Sequence, residues 1–195
     1  MKRTLYLSMV CLLSAFSAVG QIGLRGLNPI EKQKLQLPEL PASQSRVTLL
    51  RSSENVDYTQ GVFILNEDWF GHNNSTINFM TSSGDFAYRI FQTANPGKEL
   101  GCTSQFGTIF GDNMFITSKQ PKDGGASIEG GRLNVVDAKT MKVKAQFTDI
   151  GGGDGRAFLG VNDSVGYIGA SNGIFLFDIK NLTVGDQLKG ASNSG

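Results

Sequence analysis

The chain contains 195 residues, of which 39% are hydrophobic, and its 18 Lys and Arg residues stand against 17 Asp and Glu residues. The charges are scattered and form no basic stripe, so the composition excludes the electrostatic surface that nucleic-acid binding requires. Only two cysteines are present, Cys11 and Cys102, and the first lies in a segment predicted below to be removed. The mature chain therefore has no intrachain disulfide, and burial of apolar side chains must hold its fold together.

Residues 1–20 have the pattern of a signal peptide. Lys2 and Arg3 precede the mostly apolar run 5–16, and small residues then lead to a cleavage site before Gln21. This run is shorter than the roughly 20 residues with which a helix crosses a bilayer, and no second apolar run follows. The pattern predicts an exported protein of the periplasm or the outer cell surface, with no transmembrane span and no direct lipid anchor at Cys11.

Residues 21–57 are predicted to form an extended leader. The segment contains three of the five prolines and a polar stretch at 31–34. This composition favours an exposed segment with little packing, although residues 46–51 are compatible with one strand. From residue 58 onward, short apolar segments alternate with Gly, Asn and Asp turns, so the body of the chain is predicted to be all-β.

One pattern occurs twice in this body. Residues 135–143 and 176–184 each contain two apolar residues, an aspartate, a lysine two positions later and a second apolar stretch, and Asp137 and Asp178 are 41 residues apart. A period of roughly 40 to 45 residues made of short strands is typical of the blades of a β-propeller. We therefore expect consecutive blades of four antiparallel strands.

The repeat predicts three blades within residues 58–195, at about 61–91, 106–147 and 157–190. The strands of the second blade are expected at 106–110, 114–118, 132–137 and 142–147. Those of the third blade are expected at 157–161, 166–170, 173–178 and 184–188. The first blade has only three expected strands, at 61–65, 76–81 and 85–91, because its innermost strand is missing.

Three blades do not close a ring, since four is the practical minimum. We expect the chain to be the N-terminal part of a larger ring of about seven blades, in which a later strand completes the first blade. The alternative is a complete protein that closes by oligomerising.

Two further segments, Asn66–His72 and Asn95–Gly101, accompany the paired aspartate and lysine strands. Together these features resemble the YncE-like surface-layer propellers, and more narrowly an uncharacterised family of exported propeller proteins of Bacteroides-type bacteria. Some relatives in that group are surface proteins that capture corrinoids and pass them to a transporter. The resemblance covers residues 61–195. It implies a β-propeller fold at the cell envelope and makes a corrinoid one of the ligands to expect.

The loops at one end of a propeller converge and usually bind ligands. Such loops are predicted at 68–75, 119–131, 95–105 and 149–156. Trp69 is the only tryptophan, and an exposed aromatic ring with polar neighbours suits stacking on a sugar or a flat macrocycle. The alternative is that Trp69 or Phe70 fills the gap between blades. The residues predicted to bind a ligand are Trp69, Phe70, His72, Asn73, Gln105, Lys119 and Arg156.

No catalytic residue, metal site or cofactor is predicted. His72 is the only histidine, and no spacing of Cys102 and carboxylates completes a zinc site with it. Cys102 has no local signature of a nucleophile and is predicted to be a buried structural thiol. The glycine-rich turn 149–156 contains carboxylates but lacks the spacing of a calcium loop.

These observations predict a non-enzymatic, exported binding module that captures a small molecule, a glycan or a protein partner at the cell envelope. Two alternatives from other classes remain open. One is a structural component of a surface layer or assembly, and the other is a propeller hydrolase or lyase.

Overall fold

The computed structural model describes residues 56–68 and 73–191. The predicted signal peptide and all but the last two residues of the predicted leader lie outside these ranges. All of the described residues belong to one compact unit. They contain eleven strands and one short helix, and in this part of the chain no helix has the length and apolar character needed to cross a membrane.

Three antiparallel sheets follow one another along the chain, each with its strands paired in chain order. Sheet A consists of β1 (Gly61–Asn66), β2 (Thr76–Thr81) and β3 (Phe86–Ala87). Sheet B consists of β4 (Cys102–Phe110), β5 (Asn113–Gln120), β6 (Leu133–Asp137) and β7 (Val143–Phe147). Sheet C consists of β8 (Gly155–Gly160), β9 (Val165–Ala170), β10 (Gly173–Asp178) and β11 (Thr183–Gln187).

The structure is all-β, with four-stranded antiparallel sheets as predicted, and the sheets do not close on one another within the described residues. One predicted strand is wrong. Residues 85–91 form only the two-residue strand β3, and helix α1 (Ile90–Ala94) follows directly. Arg89 precedes this helix with a φ of 50°, in the left-handed region, and this backbone turn ends the extended run.

The repeated aspartates have the same structural role. Asp137 and Asp178 end β6 and β10, the third strands of sheets B and C. Asp137 Oδ1 accepts two backbone N–H groups of the next turn at 3.0 Å each, and Asp178 Oδ1 accepts the Asn181 N–H at 2.9 Å. Both turns then use a left-handed residue, Met141 with a φ of 57° and Leu182 with a φ of 51°. The sequence repeat is therefore a repeat of turn geometry.

Sheet B lies between sheets A and C and packs against each of them with one face. The core between sheets A and B includes Ile77, Phe79, Met114, Ile116 and Val136. The core between sheets B and C includes Phe115, Leu133, Val135, Phe158, Ile168 and Phe177. The alternation of side chains along each strand supplies both faces of sheet B with apolar residues.

Aromatic rings form the centre of the core between sheets B and C. The Phe115 ring stacks on the Phe158 ring with centroids 3.7 Å apart and planes inclined by 6°. Phe177 meets these two rings edge-on, at 5.9 Å and 5.6 Å. These contacts join the first strand of sheet C to the second strand of sheet B.

Candidate functional site

A polar pocket of about 170 Å³ opens where several connections between strands meet. The connection from β1 to β2, the turn before α1, the connection from α1 to β4, and the connection from β5 to β6 all contribute residues to its wall. Those residues are Asn73, Asn74, Arg89, Glu99, Gly125, Ala126, Ser127 and Ile128. Side chains from positions far apart in the sequence therefore share one small concave surface.

Arg89 and Glu99 form an ion pair at this pocket. The Arg89 Nη2 atom lies 3.3 Å from Glu99 Oε1. The left-handed backbone of Arg89 is held by Asn78, whose Oδ1 atom accepts the Arg89 N–H at 2.8 Å. A guanidinium that is half exposed beside a mostly buried carboxylate presents hydrogen-bond donors and an acceptor at adjacent positions.

The Glu99 carboxylate has a fixed orientation. Gln92 Nε2 donates to Glu99 Oε2 at 2.7 Å, and Gln146 Nε2 donates to the Glu99 carbonyl oxygen at 2.8 Å. Gln92 lies in α1 and Gln146 in β7, so both side chain and backbone of Glu99 are held by regular elements. A carboxylate that is already ordered loses little conformational entropy when it accepts a ligand hydrogen bond.

The glycine-rich connection between β5 and β6 is anchored to the rest of the site by Asn74. Asn74 Nδ2 donates to the Ile128 carbonyl oxygen at 2.8 Å, and Asn74 Oδ1 accepts the Asp123 N–H at 3.2 Å. Asp123 Oδ1 in turn accepts the Gly125 N–H at 2.9 Å. Asn74 and Asp123 are 5% and 2% exposed. The loop wall of the pocket is therefore built on buried polar contacts.

Cys102 is fully buried beneath this loop, which confirms the prediction of a buried thiol. Its Sγ atom donates a weak hydrogen bond to Asp123 Oδ2 over 3.6 Å. Burial raises the pKa of Cys102, and the negative charge of Asp123 adds to this effect. The thiol is therefore held protonated, which is the opposite of what a nucleophilic cysteine requires.

Asn73 is the one predicted binding residue that the structure places in the wall of the pocket. Trp69, Phe70 and His72, which precede it in the chain, lie outside the described residues. The predictions for those three side chains remain predictions.

The other predicted binding residues lie outside the pocket wall. Gln105 in β4 is exposed and its Nε2 atom donates to Glu67 Oε1 at 3.0 Å. Arg156 in β8 is exposed and its Nη2 atom lies 3.2 Å from Asp154 Oδ2. Lys119 is half-buried near the end of β5. The structure therefore does not bring these three residues together with Asn73.

Sequence reasoning missed Arg89, Glu99 and Asn74 as individual site residues. Glu99 and residues 125–128 lie within loops that are predicted to bind a ligand. Their position in these loops is the sequence signal that could have identified them. Arg89 fell within a predicted strand. Its left-handed backbone, which aims the side chain toward Glu99, leaves no mark in the sequence.

The carboxylates of the glycine-rich turn 149–156 have protein partners. Asp149 Oδ1 lies 3.4 Å from Arg132 Nη1 and accepts the Gly152 N–H at 2.9 Å. Across residues 56–68 and 73–191, no group of three or more His, Cys, Asp or Glu side chains is arranged to hold a metal ion.

The family of the chain is shown by a match over residues 60–195, which includes all three sheets and the pocket. The chain belongs to the family described as Domain of unknown function (DUF5074). A comparison with curated proteins finds no match. The pocket described above therefore lies within the DUF5074 domain.

Proposed function

We propose that this DUF5074 chain is a non-enzymatic binding module that is exported and captures a small polar ligand, a glycan above all, at the cell envelope. The observation that carries the proposal is the pocket in which the Arg89–Glu99 pair lies beside Asn73 and Asn74. In this proposal residues 1–20 are a signal peptide and residues 21–57 are an extended leader.

The arrangement of the sheets supports a propeller of the YncE-like type as the scaffold of this module. Sheets B and C have the same four-strand order, and Asp137 and Asp178 cap equivalent turns. The first strand of sheet C, β8, contacts both β4 and β5 of sheet B. Sequential packing of equivalent sheets is how propeller blades are arranged. We therefore interpret sheets A, B and C as consecutive blades of a larger ring.

The chemistry of the pocket favours a ligand rich in hydroxyl groups. Each hydroxyl of a sugar donates one hydrogen bond and accepts others, while Arg89 only donates, ionised Glu99 only accepts and Asn73 does both. Neighbouring hydroxyls on one sugar ring would match this set. The Glu99 carboxylate would repel an anion, and the Arg89 guanidinium would repel a cation. A neutral ligand therefore suits the pair best.

The size of the pocket sets a limit on the ligand. Its volume of about 170 Å³ is below the roughly 300 to 1,000 Å³ of pockets that enclose drug-sized ligands. This favours a single sugar ring, or the end group of a longer glycan, over a corrinoid macrocycle held whole. Trp69 lies four positions before Asn73 in the chain and remains the candidate for stacking on such a ring.

A binding role suits the side chains of the site better than hydrolysis or lyase chemistry. The buried Cys102 has a raised pKa and is hydrogen-bonded to a carboxylate, so it is not prepared for nucleophilic attack. Both oxygens of the Glu99 carboxylate already have partners, since Gln92 Nε2 donates to Oε2 and Arg89 Nη2 lies beside Oε1, and this fixed arrangement suits the binding of a ligand.

Thermal-shift and calorimetric titration of the full chain against monosaccharides, short oligosaccharides and cyanocobalamin test the proposal. We expect a sugar to raise the midpoint of unfolding. Glu99→Gln removes the charge at nearly constant shape, and we expect it to weaken sugar binding by about tenfold or more, since hydrogen bonds to charged groups are the stronger ones. Asn73→Ala and Trp69→Ala should weaken binding in the same titration.

The control is Lys189→Ala, which changes an exposed residue outside the pocket and should leave affinity unaltered. Binding of a sugar that is indifferent to both Glu99→Gln and Asn73→Ala would place the ligand elsewhere and contradict the proposal. The proposal would also be contradicted if no ligand of the panel raised the unfolding midpoint of the folded protein. If cyanocobalamin binds, and Trp69→Ala weakens this binding while Glu99→Gln does not, the ligand would be a corrinoid rather than a glycan.

A further inference from the structure

We propose that the sugar held by the polar pocket is a 6-deoxyhexose. Its methyl group packs against Ala126 and Ile128, while its hydroxyl groups bond to the polar side chains of the same wall. The assignment rests on the function proposed above and narrows it to one class of sugar. The observation behind it is an apolar corner in a pocket whose wall is otherwise polar.

Ile128 is unusual for its place in the chain. The connection between β5 and β6, residues 121–132, consists mostly of glycine, small and charged residues, and Ile128 is its only large apolar residue. Its side chain is 37% exposed and belongs to neither of the two cores between sheets. It lines the pocket instead, together with the half-buried Ala126. One exposed apolar side chain on an open surface needs no explanation, but two in the wall of one small concave site do.

The segment that carries Ile128 is held on both sides. Asn74 Nδ2 donates to the Ile128 carbonyl oxygen at 2.8 Å, which fixes the segment at the asparagine side of the pocket. Two residues later, Gly130 packs against the connection from α1 to β4. A Cβ atom on Gly130 would overlap the Leu100 carbonyl group and lie 2.6 Å from the Glu99 carbonyl oxygen. The apolar corner is therefore built next to the charged pair and has a fixed position beside it.

A methyl group suits this corner and a hydroxyl group does not. Carbon 6 of a hexose carries a hydroxyl group, and in a 6-deoxyhexose the same carbon is a methyl group. A hydroxyl placed against Ile128 and Ala126 would lose water without gaining a hydrogen-bond partner, which costs free energy. A methyl group at this place gains free energy from burial. The ring hydroxyls remain available to Arg89 and Glu99, which donate and accept hydrogen bonds respectively.

An acetamido sugar is the nearest alternative, since it also carries a methyl group. Its acetamido group replaces a hydroxyl and makes the sugar larger than a plain hexose, whereas the loss of one oxygen makes a 6-deoxyhexose smaller. The pocket of about 170 Å³ is already below the range of roughly 300 to 1,000 Å³ for drug-sized ligands. The small volume therefore favours the 6-deoxy sugar.

Isothermal titration calorimetry of the full chain tests the assignment with pairs of sugars that differ only at carbon 6. The pairs are L-fucose and L-galactose, L-rhamnose and L-mannose, D-fucose and D-galactose, and D-quinovose and D-glucose. In the pair that binds most tightly, we expect the 6-deoxy sugar to bind about tenfold more tightly than its partner, because an apolar site rejects an added hydroxyl by up to roughly a hundredfold and this pocket is partly open.

Ile128→Thr places a hydroxyl group in the apolar corner and keeps a branched side chain at an exposed loop position. We expect it to remove most of the preference for the 6-deoxy sugar, because the new hydroxyl is a partner for the hydroxyl at carbon 6. Ile109→Thr is the matched control. It makes the same substitution at a residue that is 50% exposed and lies outside the pocket wall, and it should leave the preference unchanged.

Equal binding of both members of every pair, or a preference that Ile128→Thr does not reduce, would overturn the assignment while sugar binding itself stands. Tighter binding of N-acetyl-D-glucosamine than of every 6-deoxy sugar would also overturn it and would assign the apolar corner to an acetyl group. If none of these sugars binds, the proposed function fails together with the assignment. The same titration thus distinguishes a failure of the sugar class from a failure of glycan binding.

Discussion

Gln105 and Arg156 occupy the same position in successive sheets. Each is the extra residue of a β-bulge in the first strand of its sheet, where the pairing register with the second strand shifts by one. A bulge increases local twist and redirects the side chain that it carries. Both side chains are exposed, and each contacts a single carboxylate, Glu67 for Gln105 and Asp154 for Arg156. The bulge is thus a backbone element of the repeat, while its side chain differs between sheets.

The role of the bulge predicts a contrast between substitution and deletion at Gln105. Gln105→Ala should change the free energy of unfolding by less than about 0.5 kcal/mol, because the side chain is exposed and its one contact is on the surface. Deletion of Gln105 removes the bulge itself and leaves Ser104 opposite Ser118 and Phe106 opposite Thr117 in a regular ladder, so we expect it to change the twist of β4 and to destabilise the fold more than the substitution does. Urea denaturation followed by circular dichroism measures both. Equal effects of the two changes would contradict the backbone role.

Asn74→Ala should loosen the loop wall of the pocket. The substitution removes the side chain that holds the buried Asp123 N–H and the Ile128 carbonyl oxygen, and we expect a loss of about 1 to 3 kcal/mol in stability. Hydrogen exchange of residues 121–131 should accelerate more than that of sheet C. Asn73→Ala is the matched control, because Asn73 is exposed and adjacent. Equal protection of the loop in both variants would show that Asn74 does not anchor it.

Much of the fold could be predicted from the sequence because its signals are local. Asp137 in sheet B and Asp178 in sheet C cap the turns that follow the third strands. The residues of each turn are neighbours in the sequence, so the turns can be recognised from it. The extra residues of β4 before Phe106 could not be predicted, since a bulge and the buried polar pair of Ser104 and Ser118 interrupt the apolar alternation there. Pairing with β5 extends the strand despite its polar sequence.

The candidate site was less predictable because it depends on contacts between distant residues. The pairing of Arg89 with Glu99 needs the left-handed turn at Arg89 and the helix that carries Gln92, and neither has a local sequence signal. One arginine within an apolar run, such as Arg89, is compatible with the exposed face of a strand, so the sequence predicts a strand there. Tertiary contacts of Asn78 and Gln92 decide the outcome instead.

Phe115→Ala should weaken the packing between sheets B and C and so destabilise the fold. Phe115 is fully buried and its ring lies against the rings of Phe158 and Phe177. Truncation removes apolar contacts and leaves a cavity, so we expect a loss of about 3 to 5 kcal/mol in the free energy of unfolding. Ile109→Ala, on the neighbouring strand but half exposed, should cost less than about 1 kcal/mol. Chemical denaturation compares the two variants, and similar losses would contradict the central place of Phe115 in this core.

Cys102 should resist thiol reagents in the native protein. Its side chain is buried and its pKa is raised by that burial, so both access and the thiolate fraction are low. Labelling with a disulfide reagent at neutral pH should be slow in buffer and fast in denaturing urea. Raising the pH to about 9 should accelerate the reaction of the unfolded chain more than that of the native one, because the unfolded thiol ionises first. Fast labelling of native protein would restore a reactive role for Cys102.

Asp137→Asn tests how the repeated turn responds to pH. Partial burial acts to raise the pKa of Asp137, but hydrogen bonds from Lys144 and Thr140 outweigh it, and the pKa is lowered from 3.8. A carboxyl group whose pKa is lower in the folded state stabilises the fold above its unfolded pKa, and this stability is lost as the pH falls through the folded pKa. The substituted side chain keeps an oxygen for the turn but loses the charge that pairs with Lys144. At pH 6 the variant should be less stable by at most about 1 kcal/mol, since partial exposure screens the pair.

The difference between wild type and Asp137→Asn should shrink as the pH falls below about 4 and vanish once the wild-type carboxyl is protonated. Unfolding midpoints measured between about pH 2.5 and pH 7 follow this convergence. Asp163→Asn, which also removes one negative charge from an exposed turn, separates the effect of net charge from that of the Asp137–Lys144 pair. A constant gap across the whole pH range would mean that the amide side chain cannot replace the carboxylate in the turn itself. In that case the loss would lie in the backbone hydrogen bonds at Lys139 and Thr140 rather than in the charge.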